Sequence, residues 1–245
     1  MYLKDIIRGE KIMKKFLTVA LAGVLAASML FTGCSKKAES KVPDKLIVGT
    51  NAEFPPFEYM NDKKQPEGFD IAMIKEIGKR MGKKVEIKNM EFKSLIGAME
   101  SDSINAIIAG MTKTEKREKA VDFSDSYYTT NQAIILKKDS KITKLAQLDG
   151  KKIGVQEGTT GDLISSGDKF GDGKKAKVLV KGAKVKRFKK GVDAVMDLKN
   201  GSVDAVVIDE LTANEFVKKN AKKLKIVIDS AGSEYYCIAL TKGNT

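Results

Sequence analysis

A repeated order of strands and helices constrains the fold of this chain more than any other feature. The sequence INAIIAG at residues 104–110 matches VDAVVID at residues 203–209 at nearly every position, and a helical pattern of similar length precedes each segment. The elements further upstream also recur in the same order, which predicts one β-α-β-α-β unit used twice. Chance agreement of two short strand-end patterns is the alternative. We expect two α/β lobes.

Within each unit, apolar runs predict strands and apolar residues at helical spacing predict helices. In the first unit we expect strands at 46–49, 85–89 and 105–109, and helices at 69–81 and 94–100. In the second unit we expect strands at 152–155, 185–188 and 203–209, a turn at 157–161, and helices from Asp162 and at 192–200. Gly110 and Asp209 then occupy equivalent strand ends, where open α/β sheets bind their ligands.

Two further strand-like runs connect the units. Residues 131–136 lead out of the first unit, and residues 235–240 lead back into it. Two connecting strands make a hinge, and a hinge between two α/β lobes makes a cleft that can close.

Composition excludes several classes of function. The 245 residues include no histidine, no tryptophan and only two cysteines, Cys34 and Cys237. Histidine-based catalysis and the common zinc sites are therefore excluded, and we expect no cofactor and no metal. Lys and Arg outnumber Asp and Glu by 45 to 32, but the lysines are spread along the chain, which favours a solvated surface over nucleic-acid binding.

The N-terminus predicts export. After Met13-Lys-Lys, an apolar run covers residues 16–31 and ends before Gly33-Cys34, which is the pattern of a signal peptide over residues 1–33 with its start at Met13. The Gly-Cys junction resembles a bacterial lipobox, so we expect lipidation at Cys34, a tether over 34–44, and a domain held at the outer face of the cytoplasmic membrane. An uncleaved membrane helix over residues 16–33 is the alternative.

The strand ends carry groups suited to a zwitterionic amino acid. Thr112 and Arg117 come shortly after the expected strand at 105–109, and together they can bind a carboxylate. Backbone N–H groups of Thr159 and Thr160 at a helix start offer further donors, and Asp209 offers an anion for the ammonium. Each group also has a plainer interpretation: Arg117 as a surface charge, the threonines as a helix cap, and Asp209 as the cap of the next helix.

Several motifs resemble those of the bacterial extracellular solute-binding proteins of family 3, the polar amino acid receptors of ABC importers. These motifs are GTNAEFPPFEY at 49–59, GFDI at 68–71, GMTKTEKR at 110–117 (which includes Met111), DFSD at 122–125, GVQEGTT at 154–160 and VDAVVID at 203–209. The resemblance implies a two-lobed periplasmic-binding-protein-like fold of type II. It also implies carboxylate contacts from Arg117, Thr112 and the Thr160 amide, ammonium contacts from Asp209, Thr112 and the Gly110 carbonyl, and a sandwich of the ligand side chain by Phe54 and Phe92.

The resemblance also fixes expected boundaries: lobe 1 at 45–131, lobe 2 at 132–232, and a return to lobe 1 at 233–245. Relatives continue with one or two C-terminal helices that pack on lobe 1. We expect these helices to be missing here, because the sequence stops at Thr245. Asn51 stands where many relatives carry aspartate, and Ser126 stands where the family usually has proline.

We therefore expect a monomeric, lipid-anchored receptor outside the cytoplasm. It is expected to have no enzymatic activity and to deliver its ligand to a permease and ATPase complex. Glu53, Glu58 and Asp70 favour arginine or lysine as the ligand, whereas Asn51 with Gln156 favours glutamine. The alternatives are a surface adhesin or sensor, and a dehydratase-type or transglycosylase-type enzyme that uses Glu53 or Glu157 as an acid.

Overall fold

A computed structural model of the protein describes residues 44–170, 177–229 and 233–243. The expected signal peptide, the lipidation site at Cys34, the alternative membrane helix at 16–33 and nearly all of the tether lie outside the described residues. Among the residues that are described, no helix combines the length and the apolar character needed to cross a membrane.

Residues 44–130 form short strands and helices. Its strands are β1 (Lys45–Thr50), β2 (Glu53–Phe54), β3 (Glu58–Met60), β4 (Pro66–Glu67), β5 (Lys84–Asn89), β6 (Ala106–Ile107) and β7 (Val121–Thr130). Its α-helices are α1 (Phe69–Arg80), α2 (Leu95–Glu100) and α3 (Glu115–Glu118), and a 3-10 turn at Phe92–Ser94 precedes α2. Helix α1 buries Ile71 and Ile74, one turn apart, as its apolar spacing predicts.

The second part follows the same order. Its strands are β8 (Gln132–Lys137), β9 (Lys152–Gln156), β10 (Lys169–Phe170), β11 (Lys177–Val178), β12 (Lys184–Phe188), β13 (Ala205–Asp209), β14 (Leu224–Ile228) and β15 (Glu234–Thr241). Its α-helices are α4 (Thr160–Ser165), α5 (Gly191–Asn200) and α6 (Glu210–Lys218), and a 3-10 turn lies at Leu145–Leu148.

Two five-stranded sheets share one topology. Sheet 1 has the order β5-β1-β6-β15-β7, and sheet 2 has the order β12-β9-β13-β8-β14. In each sheet the first three strands run parallel, the fourth runs opposite to both of its neighbours, and the fifth runs in the direction of the first three. Strand β8 enters sheet 2 directly after β7 leaves sheet 1, and β15 returns to sheet 1. We call residues 44–130 and 233–243 lobe 1, and residues 132–170 and 177–229 lobe 2.

Both faces of sheet 2 are covered, which explains the unbroken apolar runs of its central strands. Ala133, Ile135, Val206 and Ile208 pack with residues of α5 and α6, whereas the intervening Ile134, Leu136, Ala205 and Val207 pack with Leu145, Leu148 and Ile164 on the other face. Successive side chains of a strand point to opposite faces, so each strand serves two apolar clusters. Burial of each valine, leucine or isoleucine side chain among them contributes about 1.5–3 kcal/mol.

Strand β6 is shorter than the expected strand at 105–109. Only Ala106 and Ile107 remain in the sheet, and the chain then bends so that Gly110 adopts a φ of 51°. This left-handed conformation suits glycine, and the close approach of Phe54 and Tyr236 to Gly110 leaves little room for a side chain. The expected equivalence of strand ends is therefore wrong in detail, because Asp209 ends β13 whereas Gly110 lies three residues beyond β6.

Helix α4 begins earlier than expected. The sequence predicted a turn over 157–161 and a helix from Asp162, but the helix begins at Thr160. The hydroxyl oxygen of Thr159 accepts a hydrogen bond from the Asp162 N–H at 3.3 Å, so Thr159 is the N-cap. This earlier start places Thr160 in the first turn of the helix, at the edge of the cleft.

Candidate ligand-binding site

A pocket lies where the loop after β6 meets the ends of β9 and β13. Its lining residues come from both lobes: Phe54, Phe92, Ala109, Gly110, Thr112, Arg117, Gln156, Thr159, Thr160 and Asp209. All except Ala109 are among the residues singled out from the sequence. Asn51, Glu53 and Met111, also singled out, are not part of this lining.

Arg117 lies inside the protein rather than on its surface. Helix α3 begins after Thr114, whose hydroxyl oxygen accepts the Arg117 N–H at 3.2 Å. The guanidinium donates to the Thr112 carbonyl oxygen at 2.5 Å and to the Gly158 carbonyl oxygen at 3.0 Å, and it lies 5.2 Å from the centre of the Phe92 ring. Burial lowers the pKa of Arg117 to about 10, so the group remains a cation at neutral pH.

Thr159 and Thr160, at the start of α4, have different roles. Thr159 caps the helix by accepting the Asp162 N–H. Its own hydroxyl donates to the Gln156 carbonyl oxygen at 2.8 Å, and its N–H donates to the same oxygen at 3.4 Å. Thr160 instead donates its hydroxyl to Glu234 Oε2 at 2.7 Å. Thr112 donates its hydroxyl to the same oxygen at 2.7 Å.

Asp209 is buried and does not cap the following helix. It precedes α6 but makes no side-chain capping bond, and its Oδ1 accepts the hydroxyl of Tyr236 at 2.9 Å. Burial, and next the nearby Glu234 carboxylate, raise the pKa of Asp209 well above its usual range. A buried carboxyl group of this kind can take up a proton or bind a cation.

Asn51 and Gln156 meet across the cleft. Gln156 Nε2 donates to Asn51 Oδ1 at 2.7 Å, and Asn51 Nδ2 donates to the Met90 carbonyl oxygen at 2.7 Å. Both side chains are buried. Asn51 therefore acts behind Gln156, which itself lines the pocket.

Within the part of the chain that the structure describes, three ion pairs bridge the two lobes around the cleft, and we call them the rim pairs. They join Glu53 with Lys190 at 2.6 Å, Glu91 with Lys189 at 2.6 Å, and Lys93 with Glu157 at 2.8 Å. Glycine is required at Gly158, next to the last pair, because its φ is 81° and a Cβ there would lie 3.1 Å from Lys93. The lobes are thus in contact around the pocket.

Two acidic residues that favoured a cationic ligand lie beneath the pocket rather than in it. Glu58 and Asp70 are fully buried. Asp70 Oδ2 accepts the Gly110 N–H at 2.8 Å and the Tyr127 hydroxyl at 2.8 Å. Burial, and next the Asp70 carboxyl, raise the pKa of Glu58 well above its usual range. Asp70 thus supports the Gly110 turn.

Sequence reasoning missed residues that support the site from behind. Glu234 and Gln132, the first residues of the two connecting strands β15 and β8, hydrogen-bond at 2.7 Å. The sequence did mark Tyr235-Tyr236 as lying at a crossing, but the phenol of Tyr236 reaches Asp209 from 27 positions away. No local pattern marks such a contact.

Comparisons with known proteins agree with this architecture. The family model for bacterial extracellular solute-binding proteins, family 3, matches residues 46–235. The arginine-binding extracellular protein ArtP of Bacillus subtilis is 35% identical over 224 residues, which cover 91% of this chain and 83% of ArtP.

Solved structures are similar as well. The arginine-bound form of truncated ArgBP from T. maritima is 41% identical, with a TM-score of 0.69 over 81% of this chain and 89% of its own. An ancestral arginine-binding protein bound to glutamine is 42% identical, with a TM-score of 0.71 over 82% of this chain and 86% of its own. The expected two-lobed α/β fold of type II periplasmic binding proteins is confirmed.

Proposed function

Since the chain belongs to the bacterial extracellular solute-binding proteins, family 3, we propose that its pocket captures a free polar L-amino acid for an ABC importer. The observation that carries this proposal is the presence of one buried cation, Arg117, and one buried carboxyl group, Asp209, in the lining of a single pocket. A free amino acid has the complementary pair of charges, on two groups bonded to the same carbon atom.

The α-carboxylate is assigned to Arg117. Its guanidinium has five N–H donors, of which the protein uses one toward Thr112 and one toward Gly158. The remaining donors include a pair suited to a carboxylate. The backbone N–H of Thr160, in the first turn of α4, supplies a further donor.

The α-ammonium is assigned to Asp209, with the Gly110 carbonyl oxygen and the Thr112 hydroxyl oxygen as further acceptors. All three residues line the pocket. Asp70 and the positive φ of Gly110 hold that turn in place, which fixes the direction of its carbonyl group.

The ligand side chain is assigned to the space between Phe54 and Phe92, which extends toward Gln156. We propose arginine or lysine as the preferred ligand and glutamine as the second choice. Similar proteins support this order, because ArtP is an arginine-binding protein, ArgBP was solved with arginine, and one ancestral arginine-binding protein was solved with glutamine. A cationic side chain that reaches Glu53 takes the place that Lys190 now occupies.

Capture requires the cleft to open and close. Arg117 donates to Gly158 in the other lobe, and Gln156 donates to Asn51 in the other lobe, so the described conformation is closed. A ligand that contacts both lobes binds this form better and shifts the population toward it. The closed form is the one that a permease would recognise.

We also propose that the protein works as a monomer held to the outer face of the cytoplasmic membrane by lipid on Cys34. The Gly33-Cys34 junction after an apolar run supports this proposal. Palmitate labelling of the wild type and of Cys34→Ala in the native host tests it, since only the wild type should be labelled.

Thermal unfolding against the twenty amino acids tests the proposed function. A ligand present at 100 times its dissociation constant adds about 2.7 kcal/mol to the free energy of unfolding, which gives a clear rise in the midpoint. We expect L-arginine, L-lysine or L-glutamine to raise it and D-arginine to leave it unchanged. A cooperative transition that no amino acid moves would overturn the proposal.

A further inference from the structure

Glu234 lies at the meeting point of the two lobes and the two connecting strands. It is the first residue of β15 and is completely buried. Its partners are Thr112 of lobe 1, Thr160 of lobe 2 and Gln132, the first residue of β8. A buried glutamate requires partners for both of its oxygens, and this one has them.

All three partners of Glu234 are donors. The hydroxyls of Thr112 and Thr160 donate to Oε2 at 2.7 Å each, and Gln132 Nε2 donates to Oε1 at 2.7 Å. Burial raises the pKa of Glu234 above its usual range. The three donors, and after them the buried cation of Arg117, act against burial and favour the ionised form.

The contact with Glu234 decides what the threonines can offer a ligand. A hydroxyl group has one proton and two acceptor lone pairs. Because each proton points at Glu234, Thr112 and Thr160 present only acceptors to the pocket. The Thr160 hydroxyl oxygen already accepts a hydrogen bond from Gln132 Nε2 at 3.2 Å. The Thr112 hydroxyl oxygen keeps both lone pairs for a ligand.

We propose that Glu234 is a positioning residue that selects for an ammonium group at the ligand's α-carbon, by fixing the Thr112 and Thr160 hydroxyls as acceptors. The inference rests on the proposed function, because it concerns the same pocket. Glu234 itself has no place in the pocket lining and acts through the two threonines. An α-hydroxy acid of the same shape carries an uncharged hydroxyl group at that carbon, with one proton instead of three. It therefore binds less tightly.

The substitution Glu234→Gln tests this role. The amide keeps the shape of the carboxylate but has no charge and brings two donors, so it frees threonine protons to turn toward the pocket. The readout is the selectivity ratio, measured by calorimetry: the dissociation constant of the α-hydroxy analogue, 2-hydroxy-5-guanidinopentanoate, divided by that of L-arginine. We expect L-arginine to bind about tenfold weaker or worse, while the analogue changes by less than about threefold.

Two further variants make the test specific. Glu210→Gln is the matched control: Glu210 also lies beside a connecting segment and accepts from Asn131 Nδ2 at 3.2 Å, but it has no contact with either hydroxyl, so the ratio should not change. Thr160→Val keeps the side-chain shape and leaves Glu234 in place. It should lower the ratio in the same direction, and it serves as the test if Glu234→Gln does not fold.

The outcomes separate this inference from the proposed function. A ratio that falls in Glu234→Gln and stays at the wild-type value in Glu210→Gln supports the inference. Equal weakening of both probes, or no change in either, overturns it and leaves Glu234 with a purely structural role. If the wild type binds glutamine instead, L-glutamine and its α-hydroxy counterpart are the probes. A wild type that binds neither amino acid overturns the proposed function, and the inference with it.

Discussion

The guanidinium of Arg117, in lobe 1, donates a hydrogen bond to the carbonyl oxygen of Gly158, in lobe 2, at 3.0 Å. The residue best suited to hold a ligand carboxylate therefore also helps to hold the cleft closed. Gly158 can accept this bond because its backbone, with a φ of 81°, turns close to Lys93 of the opposite lobe. Ligand binding and closure share one side chain.

Arg117→Lys should weaken binding of every amino acid by about tenfold or more, because lysine cannot present two parallel donors to a carboxylate. Isothermal titration calorimetry with the preferred amino acid measures the change. Arg80→Lys is the matched control at an exposed side chain in α1, and it should bind as the wild type does. Equal affinities of Arg117→Lys and the wild type would remove Arg117 from the site.

Binding should release a proton at Asp209. Burial, and next Glu234, raise the pKa of this carboxyl group in the empty pocket. A bound ammonium favours the ionised form and lowers that pKa, so affinity should rise with pH between the two values. Calorimetry in two buffers of different ionisation enthalpy counts the protons released.

The control for this linkage is Asp209→Asn. It should abolish the proton release and weaken all amino acids alike, since every amino acid carries the ammonium. Proton release that persists in Asp209→Asn would assign it to another group, and unchanged affinity would contradict the ammonium assignment.

Glu58 should make the empty protein less stable as pH rises. Burial, and next Asp70, raise the pKa of Glu58 in the folded protein, so the folded state keeps a proton that the unfolded state loses. Stability from this group is complete below the unfolded pKa of about 4.3 and is lost as pH rises toward the folded value, at up to about 1.4 kcal/mol per pH unit.

The stability of Glu58→Gln minus that of the wild type should therefore increase from pH 5 to pH 8. Urea unfolding at both pH values measures the difference, and Glu67→Gln, the same change at an exposed site in β4, should show none. A difference that is constant with pH would mean that Glu58 keeps its ordinary titration.

Lys190→Gln should favour cationic ligands. The change frees Glu53 from its rim pair, and Glu53 then offers its charge to an arginine side chain. Because half of the Lys190 side chain is exposed, the gain should be modest, about two- to fivefold for L-arginine and absent for L-glutamine. Competition titrations with both amino acids measure it.

Lys189→Gln controls for closure, because it removes the rim pair with Glu91 without freeing Glu53. Glu53→Gln should do the reverse of Lys190→Gln, weakening L-arginine and sparing L-glutamine. If Lys190→Gln weakens both amino acids alike, the pair with Glu53 serves closure only.

The fold could be predicted because its information is local and repeated. The alternation of apolar runs and helical spacing gave both lobes, and the match between residues 104–110 and 203–209 aligned them. The bend after Ile107 could not be predicted, because it depends on how β15 pairs with β6 and then with Thr112 and Met111. Those partners lie more than a hundred residues away in sequence.

The residues of the site also fall into those that the sequence could predict and those that it could not. Thr112, Arg117 and Asp209 stood out because each lies at or just after the end of an expected strand and has a chemistry suited to an amino acid. Glu234 did not, because its role comes from reaching Thr112 across 122 positions and Thr160 across 74. Glu53 and Glu58 looked alike as acids near the cleft, and only the three-dimensional structure separates the rim pair with Lys190 from full burial beside Asp70.

The most direct test compares L-arginine with two analogues that each lack one charge: agmatine, without the carboxylate, and 5-guanidinopentanoate, without the ammonium. Calorimetric titration of the wild type gives the three dissociation constants. If Arg117 and Asp209 hold the two charges, each analogue should bind at least about tenfold weaker than L-arginine. An analogue that binds as tightly as L-arginine would contradict the assignment of the residue that faces its missing group.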